Sequence, residues 1–421
     1  MISAREAALL ALNDIFYNGM YSNLAVKETL KRCRNMDKNE KALFTNLVYG
    51  VVSRHFTLEY IISKYSRVKL KKLARYVKLI LEMGIYQLAY LNKIPESAAV
   101  NESVNLAKRY TKKGADRFIN AVLRSFSRDG KKIDYPEGDI AIKHSFSAEM
   151  ANMLINQFGY EFADSLMGAL NNLPEMLIRP NILKTTAPDL SELLKKSGTE
   201  NRLTDYGMIN TEGFVVSQNQ LYNDGYFTPQ DRGAYTASLV LDPKKGETVI
   251  DMCAAPGGKT THIAELMDDC GKVIAFDIYD HKIKLINNSA SRLGLKSIEA
   301  KIADSTQKID EYISSADRVL CDVPCSGWGI IRRKPDIKLS HTDLSELYDI
   351  QRKILYNGAE YVKNGGCLVY STCTVNKKEN EERISEFLNE HREFKKVNEK
   401  TFYPNVDGCD GFYICRLNKN D

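Results

Sequence analysis

Over the first 130 positions apolar residues recur every three or four places. Examples are Ala7-Ala8-Leu9-Leu10 with Leu12 and Ile15-Phe16, Leu43-Phe44 with Leu47-Val48 and Val51-Val52, and Leu79-Ile80-Leu81 with Ile85-Tyr86. That spacing puts one apolar stripe on each helix. Gly50, Gly84 and Gly130 punctuate the region and prolines are few, so residues 1–135 are expected to form an all-helical bundle. Between 140 and 225 the periods mix. His144-Ser145-Phe146-Ser147 followed by Met150, Met153-Leu154 and Phe158-Gly159 predicts one helix, and Met176-Leu177-Ile178-Arg179 before Pro180 predicts a strand. With Leu190, Leu193 and Leu194 and with Gly213-Phe214-Val215-Val216 they predict a small α+β subdomain.

From 226 to 421 short apolar runs alternate with helical stretches: Thr248-Val249-Ile250-Asp251, Val273-Ile274-Ala275-Phe276-Asp277, Ile298 to Ile302, Val319-Leu320-Cys321-Asp322 and Leu368-Val369-Tyr370. Such alternation predicts an α/β domain with a largely parallel sheet and helices on both faces. Gly411 to Leu417 is expected to add an edge strand.

The chemistry gathers at the expected strand ends, where open α/β sheets bind their ligands. Cys367-Leu368-Val369, after the Gly365-Gly366 turn, leads into Tyr370-Ser371-Thr372-Cys373-Thr374, and Arg318 to Cys321 leads into Asp322-Val323-Pro324-Cys325. Two strand-end thiols beside a carboxylate point to covalent catalysis. Asp251-Met252-Cys253-Ala254-Ala255-Pro256-Gly257-Gly258-Lys259-Thr260 links the first strand of this region to a helix. A P-loop would need glycine five places before Gly258, where Cys253 stands, and G-x-G-x-x-G is absent as well. What remains is a Gly-Gly turn that lets backbone amides approach a ligand, with Asp277 placed for ribose hydroxyls and Asp304 for an adenine edge. Either acid taken singly is equally well placed to cap a helix. Their occurrence at successive strand ends favours a nucleotide-like ligand.

Composition narrows the setting. The chain has 421 residues, enough for two or three cores. No apolar run approaches membrane-spanning length and no signal peptide is evident, so a cytoplasmic protein without membrane contact is expected. Nine cysteines, without a C-x-x-C pair, argue against a disulfide framework and a structural zinc site, and no metal is expected. Cys33, Cys270, Cys321, Cys367, Cys409 and Cys415 are expected to be small apolar core residues. The net charge of +5 conceals an asymmetry: residues 1–140 hold 25 Lys and Arg against 14 Asp and Glu, a net +11, and the remainder holds 34 against 40, a net −6. Clusters at Lys69-Leu70-Lys71-Lys72, Lys108-Arg109, Lys112-Lys113 and Lys131-Lys132 favour a polyanion, although a solvated helical surface accounts for the same charges.

Two resemblances then appear. Leu47-Val48-Tyr49-Gly50-Val51, Glu82 to Leu88, Pro95, Ala98 to Val104 and Arg117 to Arg124 make the first domain similar to the NusB-type RNA-binding domain, which implies a helical module that contacts RNA. The Cys253–Lys259 loop, Asp322-Val323-Pro324-Cys325-Ser326-Gly327 and Ser371-Thr372-Cys373-Thr374 resemble the RNA cytosine-5 methyltransferases, the family that includes a bacterial 16S ribosomal RNA enzyme. This implies a Rossmann-like class I methyltransferase sheet at the C-terminus. It implies S-adenosyl-L-methionine as donor, held by Cys253, Ala254, Ala255, Pro256, Gly257, Gly258 and Lys259 and by Asp277, Asp304 and Asp322. It further implies Cys373 as nucleophile, Cys325 as the cysteine of product release and Asp322 as a group on the base. The implied reaction is methylation of carbon 5 of a cytosine in 16S ribosomal RNA, at the cytosine-967 site, by a monomer. Another RNA such as tRNA is the alternative substrate. A DNA cytosine-5 methyltransferase would place the nucleophile at Cys325, and a non-catalytic RNA-binding factor would have no use for the donor loop. Labelling of RNA against DNA, and binding of the methyl donor, separate these classes.

Overall fold

The computed structural model describes residues 2–213, 215–340 and 344–420, which divide into two compact units. The helical unit contains α1 (Ala4–Asn18), α2 (Ser22–Arg32), α3 (Lys38–Tyr65), α4 (Arg75–Tyr90), α5 (Glu96–Tyr110), α6 (Ala115–Arg128), α7 (Ile140–His144), α8 (Ala148–Phe158) and α9 (Tyr160–Ala169). The longest, α3, starts at a capping box in which Asp37 accepts from the Glu40 amide and Glu40 accepts from the Asp37 amide. Its apolar stripe of Phe44, Leu47, Val48, Val51, Val52 and Leu58 is fully buried against α1, α4 and α6. Gly50 lets α4 come close, since a Cβ there would lie 2.0 Å from Cζ of Tyr86.

Two features depart from the sequence reading. The stretch predicted as one helix from His144 is two: α7 ends at Ser145 (φ 60°), and Ser147 accepts from the Met150 amide to start α8. Residues 140–169 also pack with the helical unit, so this part of the expected α+β subdomain is helical and lies outside it. The unit also takes in a late segment, the 3₁₀ helix Pro335–Leu339. There the fully buried Lys338 ammonium donates to the carbonyls of Ser53 (3.0 Å) and His144 (3.2 Å) and to Oδ1 of Asn171 (2.6 Å), over the Phe146 ring. Burial pushes this amine well below the ordinary lysine range.

The second unit holds two sheets. The smaller contains β1 (Met176–Pro180), β2 (Asn201–Leu203), β3 (Ile209–Thr211) and β4 (Phe227–Pro229) in the order β2-β3-β1-β4, all antiparallel, with α10 (Ala187–Lys196) and α11 (Gln220–Asn223). Of residues 213–216, assigned to this subdomain from the sequence, Phe214 lies outside the described residues and Val216 begins a 3₁₀ turn. After α12 (Arg232–Leu241) comes the larger sheet: β5 (Thr248–Asp251), β6 (Lys272–Asp277), β7 (Ile298–Ile302), β8 (Ala316–Asp322), β9 (Val362–Thr372), β10 (Phe394–Phe402) and β11 (Phe412–Lys419). Its order is β10-β11-β9-β8-β5-β6-β7, with β5, β6, β7, β8 and β9 mutually parallel and β10 and β11 added antiparallel beyond β9. The ending predicted as an edge strand is thus internal, and β10 forms the edge. Gly365 and Gly366 lie within β9, at a register irregularity against β8, rather than in a turn before it. One face buries a cluster that includes Ile354, Leu355 and Phe387 of α15 (Leu344–Tyr361) and α16 (Glu381–Glu390). The other buries one that includes Ala237, Leu241, Ile263 and Ala290 of α12, α13 (Gly258–Leu266) and α14 (Asp280–Leu293). Among the described residues no helix is long and apolar enough to cross a membrane.

Candidate active site

Parallel strands present their carboxyl ends on one side of a sheet, and β5, β6, β8 and β9 end there in Asp251, Asp277, Asp322 and Thr372. Two thiols meet just beyond. Cys325 follows β8 and Cys373 follows β9, with their Sγ atoms 3.2 Å apart and the Cys373 amide donating to Cys325 Sγ at 3.3 Å. The hydrogen bond with Cys373, followed by desolvation, pushes the Cys325 thiol well above its usual range. Asp322 sits beside them, its Oδ2 held by Lys259 Nζ at 2.7 Å and its Oδ1 by the Ser371 hydroxyl at 2.8 Å. Desolvation opposes the charge on Lys259, yet Asp322 and then Cys373 raise its pKa above the lysine norm. Lys259 is therefore a fixed cation facing a carboxylate and a thiol.

The loop from β5 to α13 is shaped by short-range bonds. Asp251, buried beneath it, accepts from Thr260 Oγ1 at 2.7 Å and from the Cys253 amide at 3.4 Å, and its desolvation raises the carboxyl pKa to about 7. The Ala254 amide donates to Phe276 O (2.8 Å), which draws the loop to the end of β6. Gly257 has φ 100°, which favours glycine, and a Cβ there would also lie tightly, 3.2 Å from Ile286 Cα. It supplies no side-chain cap to α13, leaving the amides of that first turn to a ligand or water. Cys253 and Ala255 are half-buried, Ala254 is buried and Pro256 is exposed.

Asp277 ends β6 with 7 % exposure, 3.4 Å from both Lys282 Nζ and the Tyr279 amide. Asp304 follows β7, exposed, and accepts from the amide (2.9 Å) and hydroxyl (2.7 Å) of Thr306. Asp277 pairs in register with Ile302, so the two acids stand on adjacent strands two residues apart. The tight glycine turn and two carboxylates with hydrogen-bond capacity to spare suit the amine and ribose hydroxyls of a nucleoside-like ligand.

Several contributors escaped sequence reading. Arg179 on β1, only 1 % exposed, donates to Gly258 O (3.0 Å), Gln230 Oε1 (3.0 Å), Thr261 Oγ1 (3.4 Å) and Glu265 Oε1 (2.8 Å), fixing the start of α13. Glu379 and Gln351, both fully buried, bond the loop that carries Cys325. The available signal was a polar run, Asn376 to Glu382, placed straight after a buried strand. Of the cysteines expected in cores, Cys321, Cys367, Cys409 and Cys415 are buried, whereas Cys33 is half-buried and Cys270 exposed.

Comparisons with known proteins find likenesses along both parts of the chain. Residues 238–418 match the family model described as 16S rRNA methyltransferase RsmB/F, and residues 2–128 match the NusB family. The chain is 36 % identical over 446 residues to the probable ribosomal RNA small subunit methyltransferase B of Bacillus subtilis (strain 168), covering 99 % of each. Its identity to the ribosomal RNA small subunit methyltransferase B of Proteus mirabilis (strain HI4320) is 30 %, over 99 % of this chain and 98 % of the other. Among solved structures, PH0851 superposes with a TM-score of 0.82 over 98 % of this chain and 97 % of its own, at 24 % identity, a likeness of fold. A methyltransferase homolog from Pyrococcus horikoshii gives 0.61 over 68 % of this chain and 100 % of its own, at 27 % identity.

Proposed function

Because the chain belongs to the RsmB/F methyltransferase family and carries a NusB-family domain at its front, we propose that it methylates carbon 5 of one cytosine in 16S ribosomal RNA, at the cytosine-967 site, with S-adenosyl-L-methionine as donor. The observation that carries the chemistry is the pair of thiols, Cys325 and Cys373, 3.2 Å apart beside Asp322.

The donor supplies the methyl group, and the residues suited to hold it are the Cys253–Lys259 loop with Asp277 and Asp304. Carbon 5 of cytosine is a poor nucleophile until a thiolate adds to carbon 6 and turns the ring into an enamine. Cys373 takes that role. Its neighbours are the Lys259 ammonium, whose pKa it raises, and the Cys325 thiol 3.2 Å away, whose own pKa is raised so that it stays protonated at this stage. Asp322, oriented by Lys259 and Ser371, holds the ring at N3 and stabilises the proton there.

After methyl transfer the carbon 5 proton must leave before Cys373 can be expelled. By then Cys373 is a thioether and no longer a charge opposing ionisation of its neighbour, so Cys325 gives up its own proton to solvent water and, as the thiolate, takes the carbon 5 proton. Its departure restores the C5–C6 double bond and returns the Cys373 thiolate. The two cysteines thus work in sequence.

Bisulfite sequencing of ribosomal RNA from cells with and without the gene tests the reading, with loss of one small-subunit 5-methylcytosine expected. Loss at a tRNA position instead would transfer the same chemistry to another RNA.

A further inference from the structure

Glu379 has no part in the mechanism above, yet it is a fully buried carboxylate whose bonds converge on the Cys325 loop. Oε2 accepts from the Ser326 amide (2.8 Å) and from Gln351 Nε2 (2.9 Å), and Oε1 accepts from the Ser326 hydroxyl (2.5 Å) and from Asn376 Nδ2 (3.0 Å). These four donors are neutral. Removing a carboxylate from water is costly unless its lone pairs are filled, and here filling them fastens particular backbone. Gln351 carries the same hold to the other side of the cysteine, since its Nε2 also donates to Pro324 O at 3.0 Å. Cys325 is therefore gripped at the residue before it and the residue after it. On the Cys373 side the tie is weaker and indirect, through the Ser326 and Thr374 hydroxyls, 2.8 Å apart, and through Asn376.

We propose that Glu379 is the positioning residue for Cys325: through Ser326 and Gln351 it holds that thiol where it can take the carbon 5 proton, and it serves the release of product rather than the formation of the covalent adduct. The charge acts in the same direction, because Glu379 is among the groups that raise the Cys325 pKa and so make its thiolate a stronger base. This rests on the reading of Cys373 as nucleophile and Cys325 as the cysteine of release.

The test uses the full-length protein with a small-subunit ribosomal RNA fragment and S-adenosyl-L-methionine, comparing wild type, Glu379→Gln, Cys325→Ala and the double variant. Glutamine keeps the size but presents an amide where a second acceptor is needed. Glu379→Gln is expected to transfer its first methyl group at close to the wild-type rate. Steady-state turnover should fall about tenfold or more, and an RNA–protein band resistant to denaturing electrophoresis should accumulate, as for Cys325→Ala. The double variant should be no slower than Cys325→Ala alone, because the two residues act as a unit. Donor affinity, which general unfolding would abolish, should be unchanged. If Glu379→Gln fails to fold, Ser326→Ala removes one of the same bonds and should give a weaker form of the same accumulation. Wild-type turnover in Glu379→Gln, loss of adduct and first methyl transfer together, or additive losses in the double variant would each overturn the proposal. A wild-type protein that neither methylates the RNA nor forms an adduct would overturn the functional reading itself, a distinct result.

Discussion

The basic run on the surface of the helical unit and the ion pairs of the sheet unit use charge differently. On the helical unit the run Arg67, Lys69, Lys71, Lys72 and Arg75 is exposed, and no acidic residue occurs from position 60 to 81. These side chains form no ion pair among the described residues. In the sheet unit, cations and carboxylates go inside and find partners: Arg179 with Glu265, Lys259 with Asp322. Exposed charge gains little from pairing and attracts polyanions, whereas buried charge is tolerated only where its partner is fixed. Surface charge therefore bears on what the protein meets, and buried charge on where its reactive atoms lie.

That contrast can be broken in four places, in descending order of effect. Cys373→Ala removes the nucleophile beside the fixed Lys259 ammonium and should lower methyl transfer at least about 10³-fold, with no RNA adduct, in a radiolabelled-donor assay. Arg179→Met leaves Glu265 buried and uncompensated, which should lower unfolding stability by about 3–5 kcal/mol in a denaturant titration. A loss below 1 kcal/mol would mean that the pair is not closed in solution. Asp277→Ala should weaken donor binding by about 1.5–3 kcal/mol, the worth of a hydrogen bond to a charged group, as read by calorimetry. The smallest change is expected from replacing Lys69, Lys71 and Lys72 with alanine. Stability should move by no more than about 0.5 kcal/mol, while the slope of log affinity for RNA against log salt should flatten by about 2, near 0.7 for each lost phosphate contact on a single strand. An unchanged slope would assign these lysines to solvation alone.

What could be read from the chain follows the same division. The helical front, the alternation behind it and the cysteine and glycine motifs at strand ends were legible because each is a local pattern with its own period or turn chemistry. Lys259 as a partner of Asp322 was not, since 63 residues separate them and only the juxtaposition of β5 with β8 brings them together. Glu379 escaped for a similar reason: in a polar run such as Asn376 to Glu382, only the fold tells a buried acceptor from a solvated one. The strand β10 was missed because both of its faces are largely wet, so Phe394-Lys395-Lys396-Val397-Asn398 lacks the apolar alternation of a half-buried strand. The break at Ser145 was missed because a single residue in the left-handed region leaves no mark on hydrophobic spacing.

Lys338 imposes an order on synthesis. The helical unit is the first part of the chain to be made, but three of its acceptors, on Ser53, His144 and Asn171, wait for a side chain translated 167 residues after the last of them. In a nascent chain that stops short of Pro335 the Ser53 carbonyl lacks the ammonium, and His144 O and Asn171 Oδ1 keep only the bonds from Asn171 Nδ2 (2.8 Å) and Ser53 Oγ (3.4 Å). At about 5–20 residues per second, the interval lasts roughly ten seconds or more. Lys338 can take its place in the helical unit only after the Cys325 loop has been made, and a fragment cut at residue 135 lacks His144 and Asn171 as well as Lys338.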